Sequence, residues 1–120
     1  LFPYTTLFRS KMYHALEEKK AEDIEIIDIQ NISVIADYFI VASASNQNQL
    51  QAMQDVIDEE MSKNDITVHS IEGNRSSTWI LMDYEDIIVH LFSKEDRTFY
   101  NLERIWKDGV SVPIDTLINE

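Results

Sequence analysis

The chain has no cysteine among its 120 residues, which excludes a disulfide framework, a thiolate metal site and a cysteine nucleophile. Histidine is scarce: His14, His69 and His90 stand far apart, and none has a second histidine at metal-ligand spacing, so no structural zinc site is expected. No apolar run approaches the length needed to cross a bilayer, and no charged-then-apolar leader precedes a small-residue cleavage site. A soluble cytoplasmic protein is the expectation. Basic residues are few, ten Lys and Arg against twenty-two Asp and Glu, for a formal net charge of −12. Phosphates would be repelled, which argues against general nucleic-acid binding and favours a basic protein partner. The same charge also fits an acidic surface that only keeps the chain soluble. Internal repeats and low-complexity segments are absent. A chain of this length makes one domain that buries roughly two thirds of its unfolded surface.

Catalytic constellations are missing as well. The small-residue stretch Ala42-Ser43-Ala44-Ser45 feeds a helix start, a geometry whose free N–H groups and dipole suit an anion. Nucleotidyltransferases combine such a serine turn with an Asp-x-Asp pair on a strand that holds metal at the nucleotide phosphates. No such pair follows here: Asp83 and Glu85 have the spacing, but Glu85 falls in a turn. There is no Gly-x-Ser-x-Gly elbow, and His90 beside Ser93 or Asp83 sits in mid-strand, where an imidazole more readily positions side chains than turns over substrate. A non-enzyme with no cofactor and no metal is therefore expected. A nucleotide-binding or nucleotidyltransferase-like enzyme is the alternative.

What the chain does contain is an ordered alternation of elements. Leu1–Ser10 is apolar without a period and has no acidic residue. It fits a β-arm or an extraneous leader, and stands outside the functional reading. Ser10–Ala21 reads as a helix with Met12, Ala15, Leu16 and Lys19 on one stripe and His14 just off it, at the surface. Asp23–Ile29 reads as a strand, followed by a polar connection through Gln30, Asn31 and Ser33. Asp37–Ala44 is a continuous apolar run, as in a strand buried on both faces. Ser45 is read as the cap of a long helix, Asn46–Asn64, with Leu50, Met53, Ile57 and Met61 on its core face. Thr67–Ser70 reads as a short strand, and a polar loop leads to Trp79. The strand–helix–strand crossover implies a parallel connection, so the sheet is expected to be mixed, with about five strands and flanking helices.

The most informative stretch is Trp79–Trp106, which holds both tryptophans. Thr78–Tyr84 and Asp86–Phe92 alternate and meet at an acidic turn, which predicts an antiparallel hairpin. In the tightest register Asp83 faces Ile88, Leu81 faces His90 and Trp79 faces Phe92. The opposite face, Ile80, Met82, Tyr84, Ile87, Val89 and Leu91, is nearly all apolar and reads as the core side. The first face mixes large apolar groups with a carboxylate and an imidazole, the composition of an interface rather than of a dry interior. A helix over Lys94–Lys107 should follow. Ser93 and Asp96 have capping-box spacing, Phe99, Leu102, Ile105 and Trp106 point to the sheet, and Gly109 stops the helix. Val110–Glu120 reads as a loosely docked or mobile tail around Pro113.

Several ordered motifs together resemble one family. Lys20-Ala-Glu-Asp23, Ala36-Asp-Tyr-Phe-Ile-Val-Ala-Ser-Ala-Ser45 before a Gln-rich helix, Glu72-Gly73, Trp79-Ile-Leu-Met-Asp83-Tyr84-Glu-Asp86, Val89-His90-Leu-Phe and Arg97-Thr-Phe-Tyr100-Asn-Leu102-Glu103-Arg-Ile-Trp106 are similar to the ribosomal silencing factor family, also called Iojap. The likeness spans residues 11–109 as one domain, with 1–10 a leader unlike the family and 110–120 a tail. It implies a mixed α/β fold related to nucleotidyltransferases but without their catalytic carboxylates. It also implies a translational repressor that binds a ribosomal protein on the intersubunit face of the large subunit and stops the small subunit from joining. The partner-binding motif of the family falls on Trp79, Leu81, Asp83 and Tyr84, with Tyr84 split between interface and core. His90, Tyr100, Glu103 and Trp106 fit the family pattern as a bracket between hairpin and last helix. Family members can self-associate, so a homodimer through the hairpin face is a further expectation. The chain departs from the family in its loops: Asn74–Thr78 and Glu85 stand where glycines are common.

Overall fold

The apolar run expected to be buried on both faces is the strand Tyr38–Ala44, and all seven of its residues are buried. A computed structural model describes residues 4–73, 78–96 and 109–113. Its elements in chain order are α1 (Tyr4–Glu18), β1 (Glu22–Asp28), β2 (Tyr38–Ala44), α2 (Gln47–Lys63), β3 (Ser70–Glu72), β4 (Trp79–Asp83), β5 (Ile87–Ser93) and β6 (Val110–Ser111). They build one sheet in the order β3-β4-β5-β2-β1-β6. β2 and β5 run parallel, and the other neighbouring pairs are antiparallel. The mixed α/β class is as expected, with a sixth strand added. That strand lies where the tail was expected to begin: Val110 pairs with Asp28 and Ser111 with Ile27.

The crossover has a different partner from the one expected. β2 and β3, joined through α2, do run in the same direction, but β3 sits at the sheet edge with β4 and β5 between it and β2, and the parallel ladder is β2 with β5. The third strand is also shifted from 67–70 to Ser70–Glu72, because pairing with β4 sets Ile71 opposite Met82 on the core side.

Helix boundaries differ for local reasons. α1 starts at Tyr4 rather than at residue 10 and stops at Glu18. Its end is closed by Ala21 N–H to Leu16 O (3.1 Å) and Lys20 N–H to Glu17 O (2.9 Å), with Lys20 at φ 59°. α2 ends in the same way, through Ile66 N–H to Met61 O (2.9 Å) and Asp65 N–H to Ser62 O (3.0 Å), with Asp65 at φ 60°. Both are Schellman closures whose left-handed position normally takes glycine. The chain has only two glycines, and a side chain there costs roughly 1–2 kcal/mol. At its start α2 is capped by Asn46 instead of Ser45. The Asn46 side chain accepts from Gln49 N–H at 2.8 Å, while Ser45 N–H donates to Gln49 Oε1 at 2.6 Å.

Both helices lie on one face of the sheet. Met12, Tyr13 and Leu16 of α1 and Leu50, Met53, Ile57 and Met61 of α2 pack with Ile26, Ile40, Ile80, Met82, Val89 and Leu91. The second face carries its own apolar cluster of Ile27, Ile29, Ala36, Phe39, Val41, Ile88 and Phe92, with Leu81 packed against it. Residues 94–96 are helical, as expected for the last helix. Its remainder, with Phe99, Tyr100, Leu102, Glu103, Ile105 and Trp106, lies outside the described residues.

Candidate docking face

Strand alternation and a tight turn set the hairpin geometry. Trp79 pairs with Phe92, Leu81 with His90 and Asp83 with Ile88, the register the sequence predicts. Tyr84 N–H donates to Ile87 O at 2.9 Å, and Asp86 N–H to Tyr84 O at 2.9 Å, which closes a γ-turn on Glu85 at φ 71°. The Asp83 carboxylate accepts from Glu85 N–H at 2.7 Å and so supports the turn from the strand. Gly73 leaves β3 at φ 111°, and a Cβ there would stand 2.8 Å from Trp79 O. Only glycine lets the backbone pass this close to the start of β4.

The face of Trp79, Leu81 and Asp83 is not uniformly open. Trp79 is 37 % exposed, and Leu81 and Asp83 are half-buried. On β5, His90 is 3 % exposed and Phe92 fully buried. The expectation of an interface composition across the whole face is thus corrected. β5 lies between β4 and β2 in the sheet, and its side chains pack into the second apolar cluster. The open part is the β4 strip.

Trp79 rests on that buried floor. Its ring stacks on Phe92 with centroids 5.3 Å apart and planes 19° from parallel, and on His90 at 6.1 Å and 27°. Trp79 Nε1–H donates to His90 Nδ1 across 3.4 Å. The imidazole also meets the Phe39 ring edge-on at 5.1 Å. Burial lowers the His90 pKa to about 4, so the ring is neutral at physiological pH and Nδ1 is free to accept. The indole N–H is used internally, which leaves the ring edge and outer face for a partner.

Tyr84 sits on the opposite, helix-side face. It packs on the core cluster and borders a cleft of about 450 Å³ with Met12, Met61, Ile66 and Ile87. Its hydroxyl is buried with no hydrogen-bond partner among the described residues, and burial, followed by the charge of Asp58, raises its pKa. The capping residues tie the hairpin to the following helix. Ser93 Oγ accepts from Asp96 N–H at 3.2 Å, but the Asp96 carboxylate turns to the Thr78 hydroxyl instead of reaching back.

One exposed feature lies outside the residues singled out from the sequence. The β1–β2 connection, read as polar, displays Ile32, Val34 and Ile35 outward. Their adjacency to Asn31 and Ser33 was the available signal, since turn-forming residues turn their apolar neighbours out of the strand period.

Residues 7–120 match the family described as "Ribosomal silencing factor during starvation". The chain is 37 % identical over 106 residues to a ribosomal silencing factor of Bacillus subtilis, covering 88 % of this chain and 90 % of that protein. It is 28 % identical over 95 residues to a mouse protein named for mitochondrial assembly of the ribosomal large subunit, covering 76 % of this chain and 41 % of that protein. A crystal structure of a Chromobacterium violaceum protein superposes with a TM-score of 0.81 at 25 % identity, over 84 % of each chain. The family is named for a regulator of the ribosome rather than for an enzyme. The motifs around β2, the hairpin and its tryptophan therefore have their explanation: the chain belongs to the ribosomal silencing factor family.

Proposed function

We propose that this protein is a cytoplasmic translational repressor that binds the large ribosomal subunit and blocks joining of the small subunit. Its contact is a basic ribosomal protein on the intersubunit face. The observation that carries this reading is the open β4 strip: an aromatic, an aliphatic and a carboxylate on one strand face, backed by a buried β5. Trp79 enters an apolar pocket of the partner, Leu81 packs beside it, and Asp83 accepts from a Lys or Arg. Tyr84 takes part only by reaching round the turn, because its ring lies on the helix side. His90 holds Trp79 from behind, with Tyr100, Glu103 and Trp106 as its proposed bracket. The net charge of −12 suits a basic partner and speeds encounter. The names of the relatives, a silencing factor and a large-subunit assembly protein, point to the same particle. A homodimer through the same strip competes with ribosome binding.

Sedimentation with purified large subunits tests the reading. The wild type co-migrates and inhibits subunit joining. Trp79→Ala combined with Asp83→Arg weakens binding at least about thirty-fold, since losing an anchor costs roughly 2 kcal/mol or more. A wild type that stays in the supernatant, or a double variant that binds undiminished, sinks the proposal. Nucleotide with magnesium should leave the melting temperature unchanged; a clear rise would favour the enzymatic alternative.

A further inference from the structure

The β1–β2 loop is built to display apolar side chains. Ile32 and Ser33 N–H both donate to Ile29 O, at 3.0 and 2.9 Å, and Ile35 N–H donates to Ser33 Oγ at 3.0 Å. Ile29 N–H closes the loop onto Asp37 O at 2.9 Å. Ile29 and Ala36 are buried in the second apolar cluster and anchor the loop from below. Between those anchors Val34 is fully exposed, Ile35 is 76 % exposed and Ile32 43 %. With Trp79 and Val110 these are the large apolar side chains left in water among the described residues. A bonded loop with its hydrophobic side chains outward has the form of a docking spot.

The ground beside the loop is acidic. Asp28, Asp37 and Asp86 stand at one end of the sheet, where Asp37 N–H and Tyr38 N–H both donate to Asp86 O, at 2.8 and 3.1 Å. Burial, then the charges of Asp86 and Asp28, raise the pKa of Asp37, which places its carboxylate within reach of both neighbouring charges. None of them forms an ion pair among the described residues. Through Asp86 the row continues into Glu85 and Asp83 of the hairpin turn. The loop and the Asp83 end of the Trp79 strip thus lie at the same end of the sheet.

We infer that Ile32, Val34 and Ile35, with Asp28, Asp37 and Asp86, form a second docking spot for a basic protein surface on the large subunit. This rests on the proposed function and extends its footprint from one strand to the whole end of the sheet. Apolar side chains of the partner seat on the loop, and its Lys or Arg residues lie over the carboxylates. Ribosomal RNA is disfavoured because its phosphates would face carboxylates that carry no ion pair among the described residues. A second copy of this chain is disfavoured because it would bring two such rows together.

The lack of cysteine in the chain makes the test direct. A Val34→Cys variant carrying a thiol-linked photo-crosslinker is bound to purified large subunits and irradiated. The expected product joins the chain to a ribosomal protein. Val34→Ser with Ile35→Ser should weaken binding about tenfold at an unchanged melting temperature, as expected for two exposed aliphatic side chains buried only in the complex. A crosslink to RNA, a crosslink between two copies, or no crosslink with affinity within twofold of wild type overturns the inference. If the wild type itself fails to bind, the proposed function falls. If it binds, and loses binding with Trp79→Ala but not with the loop variant, only the second spot falls.

Discussion

Trp79 and Phe92 are direct partners across the hairpin and stack at 5.3 Å, yet Trp79 is open to solvent and Phe92 is sealed. They have similar chemistry and share one face of one sheet. What separates them is position in the strand order. β5 has β4 on one side and β2 on the other, while β4 has β5 on one side and only the three-residue β3 on the other. The contrast assigns different tasks to the two arms of one hairpin. β5 is sealed into the core, and β4 carries the open strip to which the proposed partner is assigned. His90 belongs to the first arm but serves the second, because its Nδ1 holds the indole of Trp79.

This division is easiest to break at Phe92. Phe92→Ala should cost about 3–5 kcal/mol of stability, because the surrounding core relaxes only partly around the cavity. Urea unfolding measures it, and a loss below 1 kcal/mol would mean that β5 is not the sealed arm. The next effect is the pH response of His90. Its folded pKa of about 4 lies below the unfolded 6.5. The unfolded state therefore takes up the proton first, and stability present above pH 6.5 is lost as pH falls toward 4. The loss amounts to about 3 kcal/mol. Urea midpoints across that window should fall less steeply for His90→Gln than for wild type. NMR of the imidazole should show it neutral until near pH 4.

Trp79→Ala sharpens the comparison from the other arm. It should reduce binding to large subunits by about 2 kcal/mol while costing less stability than Phe92→Ala, since a third of the ring is already in water. Equal stability losses at the two positions would erase the distinction. The smallest effect is at the turn that joins the arms. Glu85→Gly relieves a left-handed side-chain conformation at φ 71° and should gain roughly 0.5–1 kcal/mol after the added freedom of the unfolded chain is subtracted. The exposed His69–Glu85 pair at 3.5 Å, lost in that variant, contributes little. A rise of a few degrees in melting temperature is the expected result.

Much of this was legible in the residues. Alternation assigned Ile80, Met82, Val89 and Leu91 to the core face, and the two-residue turn set the hairpin register. The apolar run at Tyr38–Ala44 announced a strand covered on both sides. The strands departed from the local signal where a nonlocal partner overruled it. β3 moved to meet β4, and Val110–Ser111 became a strand because β1 offered a free edge. The α2 cap moved from Ser45 to Asn46, one residue along, where the side chain reaches the Gln49 N–H. The exposed loop residues Val34 and Ile35 were hidden in a segment read as polar.

The sequence alone determined the two faces of the β4–β5 hairpin, because a side-chain period of two leaves no other choice once the turn is set. It also determined the acidity of the chain and the absence of thiol chemistry. Only the tertiary structure decided which part of the Trp79 face stays open, for burial depends on which strands lie alongside and not on the strand's own residues. It likewise brought Asp28, Asp37 and Asp86, from three separate segments, to one end of the sheet. No local pattern encodes that meeting, since it follows from the order in which the strands pair.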